Sequence, residues 1–221
     1  AFNAGVFWVT TNNPTVSYDC TDNNGSAGFN AGSIQCSIDG GGYAACPGNA
    51  FVYASGPPNG SFNLGGAKPD GVHTVQLKAS DTAGNSVTSA LMTFTIDTTA
   101  PTLSISAGPS ITDANNSSTI TYTLTYGGAT ATTLAPGNIT LNTTGGASCT
   151  VGVTPGLPNS TVTLTLCTGN GTVGISVVAS TASDDAGNLA PAAGPSTTFN
   201  VDNSAPTLSI SAGPSLTYAN S

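Results

Sequence analysis

The chain has no glutamate and no arginine. Two lysines, one histidine, one tryptophan and one methionine stand among its 221 residues. Each shortage excludes something. Lys68 and Lys78 make no basic patch, and at a net charge of −8 the chain is not suited to nucleic acid or to anionic membrane surfaces. No apolar run is long enough to span a bilayer, so no membrane insertion is expected within this stretch. A triad or an acid–base couple needs a base with an oriented partner, and the serines and threonines here lack such a base. The lone histidine, His73, alternates in phase with Val75 and Leu77, which reads as a structural strand residue. The chain is expected not to be an enzyme. Scarce Leu, Met, Lys and Glu disfavour helices.

What is there is glycine, serine, threonine, asparagine and alanine, in short alternating runs separated by turn signals. Residues 6–10, 15–20, 33–38, 72–80 and 91–96 read as strands, as do 102–106, 119–126, 139–142, 147–153, 161–167, 172–180 and 197–201. A short strand is also expected near 61–64, and 113–118 reads as a loop. About seven short strands per hundred residues is the pattern of a β-sandwich. The inward parity places Trp8, Tyr18, Ile34, Val75, Leu77 and Phe94 in one core. Ile120, Leu124, Leu164, Val173, Ile175 and Val177 belong to a second.

A repeat sets the domain count. Residues 94–110 return almost unchanged at 199–215, with Asp97 recurring as Asp202 and Pro101 as Pro206, an offset of 105 residues. A return at that spacing marks a tandem array. Residues 1–97 form one module and 98–202 a second. Residues 203–221 read as the first strand of a truncated third, and the chain as a window on a longer, processed protein. Each copy is strand, aspartate, short polar linker, proline, strand. The proline fixes its own φ and extends the residue before it, which stiffens the joint.

Five cysteines imply an oxidising compartment if they pair, and their spacings match no zinc motif. Cys149 and Cys167 are the two in the second module, so they are expected to bridge. A Cys36–Cys46 bridge would staple the hairpin around the turn 39–42. Cys20 is then odd, and three pairings are open in the first module. The sequons at Asn138 and Asn170 are no more than such an Asn- and Thr-rich composition produces by chance.

The run Asp70-Gly-Val-His-Thr-Val-Gln-Leu-Lys-Ala-Ser-Asp-Thr-Ala-Gly-Asn85, followed by Ile96-Asp-Thr-Thr-Ala-Pro101, resembles the bacterial immunoglobulin-like modules of giant surface adhesins. The hairpin from Cys36-Ser-Ile-Asp-Gly-Gly to Cys46 is similar to one subtype. The second module keeps the Asp-x-Ala-Gly-Asn turn at 184–188 and the Asp-x-x-Ala-Pro linker. It lacks the Asp-Gly-x-His-Thr strand start and the cysteine hairpin. The resemblance implies an all-β chain of tandem immunoglobulin-like sandwiches arranged end to end, secreted to the cell surface and serving as a stalk.

In such a sandwich the linker Asp97 ends the last strand at one pole, and the turn 184–188 lies at the facing pole of the next module. Asp97, Asp184, Asp185 and Asn188 should therefore converge, and oxygen ligands of this kind suit Ca²⁺. The resemblance implies calcium-stiffened joints as well. Asp81 would serve a preceding joint and Asp202 a following one; an Asx-turn at each aspartate is the alternative. The expected partners are neighbouring modules of the same longer chain. Two other readings remain open. One is surface glycans on a platform of Phe29, Phe51, Tyr53 and Phe62. The other is further copies of the chain in a fibre, with 203–221 donated as a strand.

Overall fold

The computed structural model describes residues 7–20, 30–51, 60–211 and 213. The regular structure among them is all strand apart from two 3-10 turns, Ala31–Ser33 and Pro136–Asn138. No helix among the described residues is long and apolar enough to cross a membrane. Two compact units emerge. One comprises Ala1–Leu103, Tyr126–Thr133 and Ala179–Pro191; the other comprises Ser104–Thr125, Leu134–Val178 and Ala192–Ser221.

Among the described residues, nine strands lie before the first linker: β1 (Trp8–Val9), β2 (Val16–Tyr18), β3 (Gln35–Ile38), β4 (Ala44–Ala45), β5 (Ala50–Phe51), β6 (Gly60–Phe62), β7 (Gly71–Ser80), β8 (Ser86–Thr88) and β9 (Met92–Ile96). One sheet runs β1-β9-β7-β3-β4, with β8 added to β7, and the other runs β2-β6-β5. Val16, Tyr18 and Phe62 from the small sheet meet Cys36, Val75, Ala79, Phe94 and Ile96 from the large one. That shared core makes this a sandwich. The parity along β7 is as expected, with His73, Val75 and Ala79 buried. Leu77 points the same way but stays half-buried.

Trp8 corrects the expected core: it is 40% exposed. Edge strand β1 runs parallel to β9 with Trp8 opposite Thr95 and Val9 opposite Ile96. Paired residues share a face of the sheet. Ile96 is fully buried, so Val9 takes the inner face and Trp8 the outer one.

Where a Cys36–Cys46 bridge is expected, the structure has two buried thiols. Cys36 pairs across the hairpin with Ala44, not with Cys46. Cys46 is then a diagonal neighbour, and the two sulfurs meet as hydrogen-bond partners in the core. Burial first, then that contact and the proximity of Cys36, pushes the Cys46 thiol well above the usual cysteine range. It is therefore a poor nucleophile at neutral pH. Burial likewise pushes the neighbouring Tyr18 phenol up to about 12.

Among the described residues, ten strands follow the linker: β10 (Thr102–Ala107), β11 (Asp113–Ala114), β12 (Ile120–Gly127), β13 (Ala131–Thr132), β14 (Ile139–Thr143), β15 (Ser148–Thr154), β16 (Asn159–Thr168), β17 (Gly171–Val177), β18 (Ala182–Ser183) and β19 (Phe199–Val201). They form the sheets β10-β12-β16-β15 and β11-β19-β17-β14 and the pair β13-β18. Every residue expected in this core is there: Ile120, Leu124, Leu164, Val173, Ile175 and Val177 are at most 1% exposed. Cys149 and Cys167 are joined by a disulfide across β15 and β16. The stretch expected to be a plain loop, 113–118, contributes β11, which pairs in parallel with β19. The same device recurs before each linker. Asp97 donates its N–H to the Val9 carbonyl, and Asp202 donates to Ala114, both at 2.9 Å.

Candidate functional site

Asp97 and Asp202 follow directly on β9 and β19, where the two linkers begin. An emerging linker has backbone groups that no sheet satisfies, and such groups need partners. At the first linker Asp70 supplies them. Its Oδ1 accepts the Thr98 N–H at 3.0 Å and the Thr98 hydroxyl at 2.8 Å. Its Oδ2 accepts the Thr99 hydroxyl at 2.7 Å. Asp97 itself caps the Thr99 N–H at 3.0 Å, which is an Asx-turn. The Asp97 carbonyl accepts the Asn188 side-chain amide at 2.9 Å. Asp97 and Asn188 belong to the same compact unit. The hydroxyl of Thr99, then the hydroxyl and amide of Thr98, hold the Asp70 carboxyl below the usual carboxylate range.

The second linker has a similar fastening with an asparagine in place of the aspartate. Asn170 accepts the Asn203 N–H at 2.8 Å and donates to the Ser204 hydroxyl at 2.8 Å. Asn203 donates to the Gly169 carbonyl at 2.8 Å, and Asp202 caps Ser204 at 2.8 Å. The second module thus keeps the role of the Asp-Gly strand start although it lacks that sequence. Both glycines that follow, Gly71 and Gly171, have positive φ, at 139° and 148°. A side chain at Gly171 would also run into the Thr144 carbonyl. Asp70 and Asn170 were not among the expected site residues. The available signal was a polar residue before a glycine at the start of the strand that pairs with the one leading to each linker. Asn170 is also a sequon residue, and both ends of its amide are engaged by the linker.

The expected calcium ligands are arranged differently from a cage. Asp184 accepts the Asn188 N–H at 2.9 Å on one oxygen and the Asn188 amide at 3.0 Å on the other. Asp81 and Asn85 make the same pair of bonds at 2.8 and 2.7 Å. Asp185 is exposed at the tip of its turn, and Asp202 is exposed at its linker. Calcium takes six to eight oxygens at about 2.3–2.6 Å. Among the described residues no three His, Cys, Asp or Glu side chains come together to hold a metal. Asp184 accepts N–H groups on both carboxylate oxygens and Asp97 on one, so these residues are arranged as turn caps rather than as a calcium cage.

His73 is 7% exposed. Its Nδ1 faces the Asp39 carboxylate at 3.1 Å and its Nε2 faces the Pro69 carbonyl at 2.9 Å. Both neighbours are acceptors, so neither ring nitrogen is placed to take a proton from a nucleophile. Asp39 also accepts the Thr74 N–H at 3.0 Å and lies 3.7 Å from the Lys68 ammonium. Partial burial raises the Asp39 carboxyl. The Thr74 bond, the His73 bond and charge, and Lys68 outweigh that and lower it overall. A carboxyl lowered on folding contributes stability that is complete above its unfolded value, about 3.9. That contribution is lost as pH falls through the lower folded value. Melting temperatures between pH 6 and pH 2 should therefore fall less steeply at the acid end for Asp39→Asn than for the wild type. Parallel curves would show that Asp39 carries none of the acid sensitivity.

The expected glycan platform loses members. Phe62 is 1% exposed, and Phe51 stacks on Tyr18 with centroids 6.3 Å apart. Phe29 and Tyr53 lie outside the described residues.

Residues 44–98 match the family model of the bacterial Ig-like domain. No curated protein sequence matches the chain. Among solved structures it is similar to the fibronectin(III)-like modules of Clostridium thermocellum CbhA, at 11% identity, 90% coverage of both chains and a TM-score of 0.37. It is also similar to the D00-D0 domain of intimin, at 18% identity, 90% coverage of this chain and 96% of that one, with a TM-score of 0.33. A third likeness is to SGBP-B of the Bacteroides ovatus mixed-linkage glucan utilization locus, in complex with a mixed-linkage heptasaccharide. There the identity is 13%, the coverage 90% of this chain and 43% of that one, and the TM-score 0.27. At such TM-scores none of the three bears on what this chain binds.

Proposed function

We propose that this all-β chain, part of which is a bacterial Ig-like domain, is a structural segment of an extracellular protein. It acts as a stiff spacer between modules of its own kind and has no chemistry of its own. One observation carries the reading: the first linker is fastened at consecutive residues, with Asp97, Thr98 and Thr99 all bonded to Asp70, Asn188 or each other. A free tether spends its polar groups on water. A linker bonded in this way holds a direction. The Cys149–Cys167 disulfide supports an oxidising, extracellular setting. Thr207–Ser211 repeats the first five residues of β10, and Leu208 and Ile210 there are 97% and 91% exposed. That suits the opening strand of a following module. It also favours a second reading, a fibre subunit that donates this strand to another copy.

The test is nuclear magnetic relaxation of the linker amides. Thr98 and Thr99 should show order parameters near 0.85, like strand residues, and Asp70→Ala should lower them toward the flexible range below about 0.6. Low values in the wild type would overturn the spacer reading. Sedimentation across a concentration series separates the second reading, since a strand-donating subunit assembles as concentration rises and a spacer does not.

A further inference from the structure

We infer that the side-chain amide of Asn188 stands where a joint cation would, so that the linker at Asp97 is held without metal. This rests on the reading of that linker as a stiffening element and concerns how it is controlled. An asparagine NH₂ carries two hydrogens. At Asn188 one goes to the Asp184 carboxylate at 3.0 Å and the other to the Asp97 carbonyl at 2.9 Å. A carboxylate oxygen and a strand-end carbonyl are both the kind of oxygen that calcium collects. A cation bridging the two at about 2.3–2.6 Å would compete with the amide nitrogen for the position between them. The second Asp184 oxygen accepts the Asn188 main-chain N–H, and the Asp97 carboxylate accepts Thr99.

The same sequence makes the same turn at Asp81 and Asn85. Within the same compact unit they close the two equivalent bonds with similar lengths. The Asp-x-Ala-Gly-Asn sequence therefore folds its own aspartate onto its own asparagine. Asn85 is exposed, whereas Asn188, reaching the Asp97 carbonyl, is half-buried. Replacing Asn188 by aspartate would remove the donor and set a second carboxylate against Asp184. A cation could then bridge those oxygens.

The experiment follows the Thr98 and Thr99 order parameters and the Asn188 side-chain amide signals in excess chelator and across a calcium chloride titration. In the wild type neither should change between the two conditions. In Asn188→Asp the linker amides should become mobile in chelator and regain order as calcium is added. A wild-type linker that loosens in chelator, or wild-type Asn188 signals that shift and saturate with calcium, would overturn the inference. So would an Asn188→Asp linker as ordered in chelator as the wild type. If Asn188→Asp does not fold, the two wild-type conditions decide. A wild-type linker mobile in both conditions sinks the spacer reading instead, and the Asn188 signals then judge the metal question separately.

Discussion

Ile175→Ala is expected to destabilise its sandwich by roughly 2–5 kcal/mol. Ile175 is fully buried in the middle of β17, between the equally buried Val173 and Val177. It pairs with Leu141 on β14, and Leu164 and Val162 on β16 add fully buried apolar side chains to the same core. Truncation there loses transfer free energy and leaves a cavity that two hydrogen-bonded sheets cannot close. Equilibrium denaturation of wild type and variant measures the effect. Leu77→Ala is the useful contrast. Leu77 has the inward parity of β7 but is half-buried, beside a cleft of about 200 Å³ that it lines with Tyr18, Ile34 and Ala79. Its loss should cost less than that of Ile175. Equal costs, or no cost at Ile175, would mean that the burial of β17 has been misjudged.

Replacing both Cys149 and Cys167 by serine is expected to cost roughly 2–4 kcal/mol. The bridge closes a loop of 18 residues in sequence, and in the chain-entropy account its effect is mainly on the unfolded chain. The hairpin it spans has a local weakness. The β15–β16 register shifts between Ser148 and Thr150, and Leu166, beside Cys167, has a φ of 49°. A leucine in the left-handed region is disfavoured by about 1–2 kcal/mol, so the bridge secures the part of the hairpin least able to hold itself. Thermal melts with and without reductant, alongside the double variant, give the size. A reductant-independent melting temperature equal in both proteins would show that the bridge adds nothing. Cys36 and Cys46 serve as a control. Both are already buried thiols, so reductant should act through the Cys149–Cys167 bridge alone.

The fold class was legible because it depends on periodicity. Alternation along 72–80 and 119–126 can bury a face only as strand. The second core was legible for the same reason: its strands are long, and a long alternating run has one inward parity. The edges were not. Whether Trp8 or Val9 faces inward depends on which residue of β9 lies opposite, and a one-residue change of register exchanges the two. The site was legible in its residues but not in its bonds. Repetition singled out Asp97, Asp184 and Asn188, and sandwich topology brought Asp97 and Asn188 together. That the Asn188 amide reaches the Asp97 carbonyl, and that Asp70 and Asn170 fasten the linkers, was decided by the tertiary structure. Hydrogen-bond direction is set at about 3 Å by the orientation of each side chain, and residue spacing along a chain holds no record of that orientation.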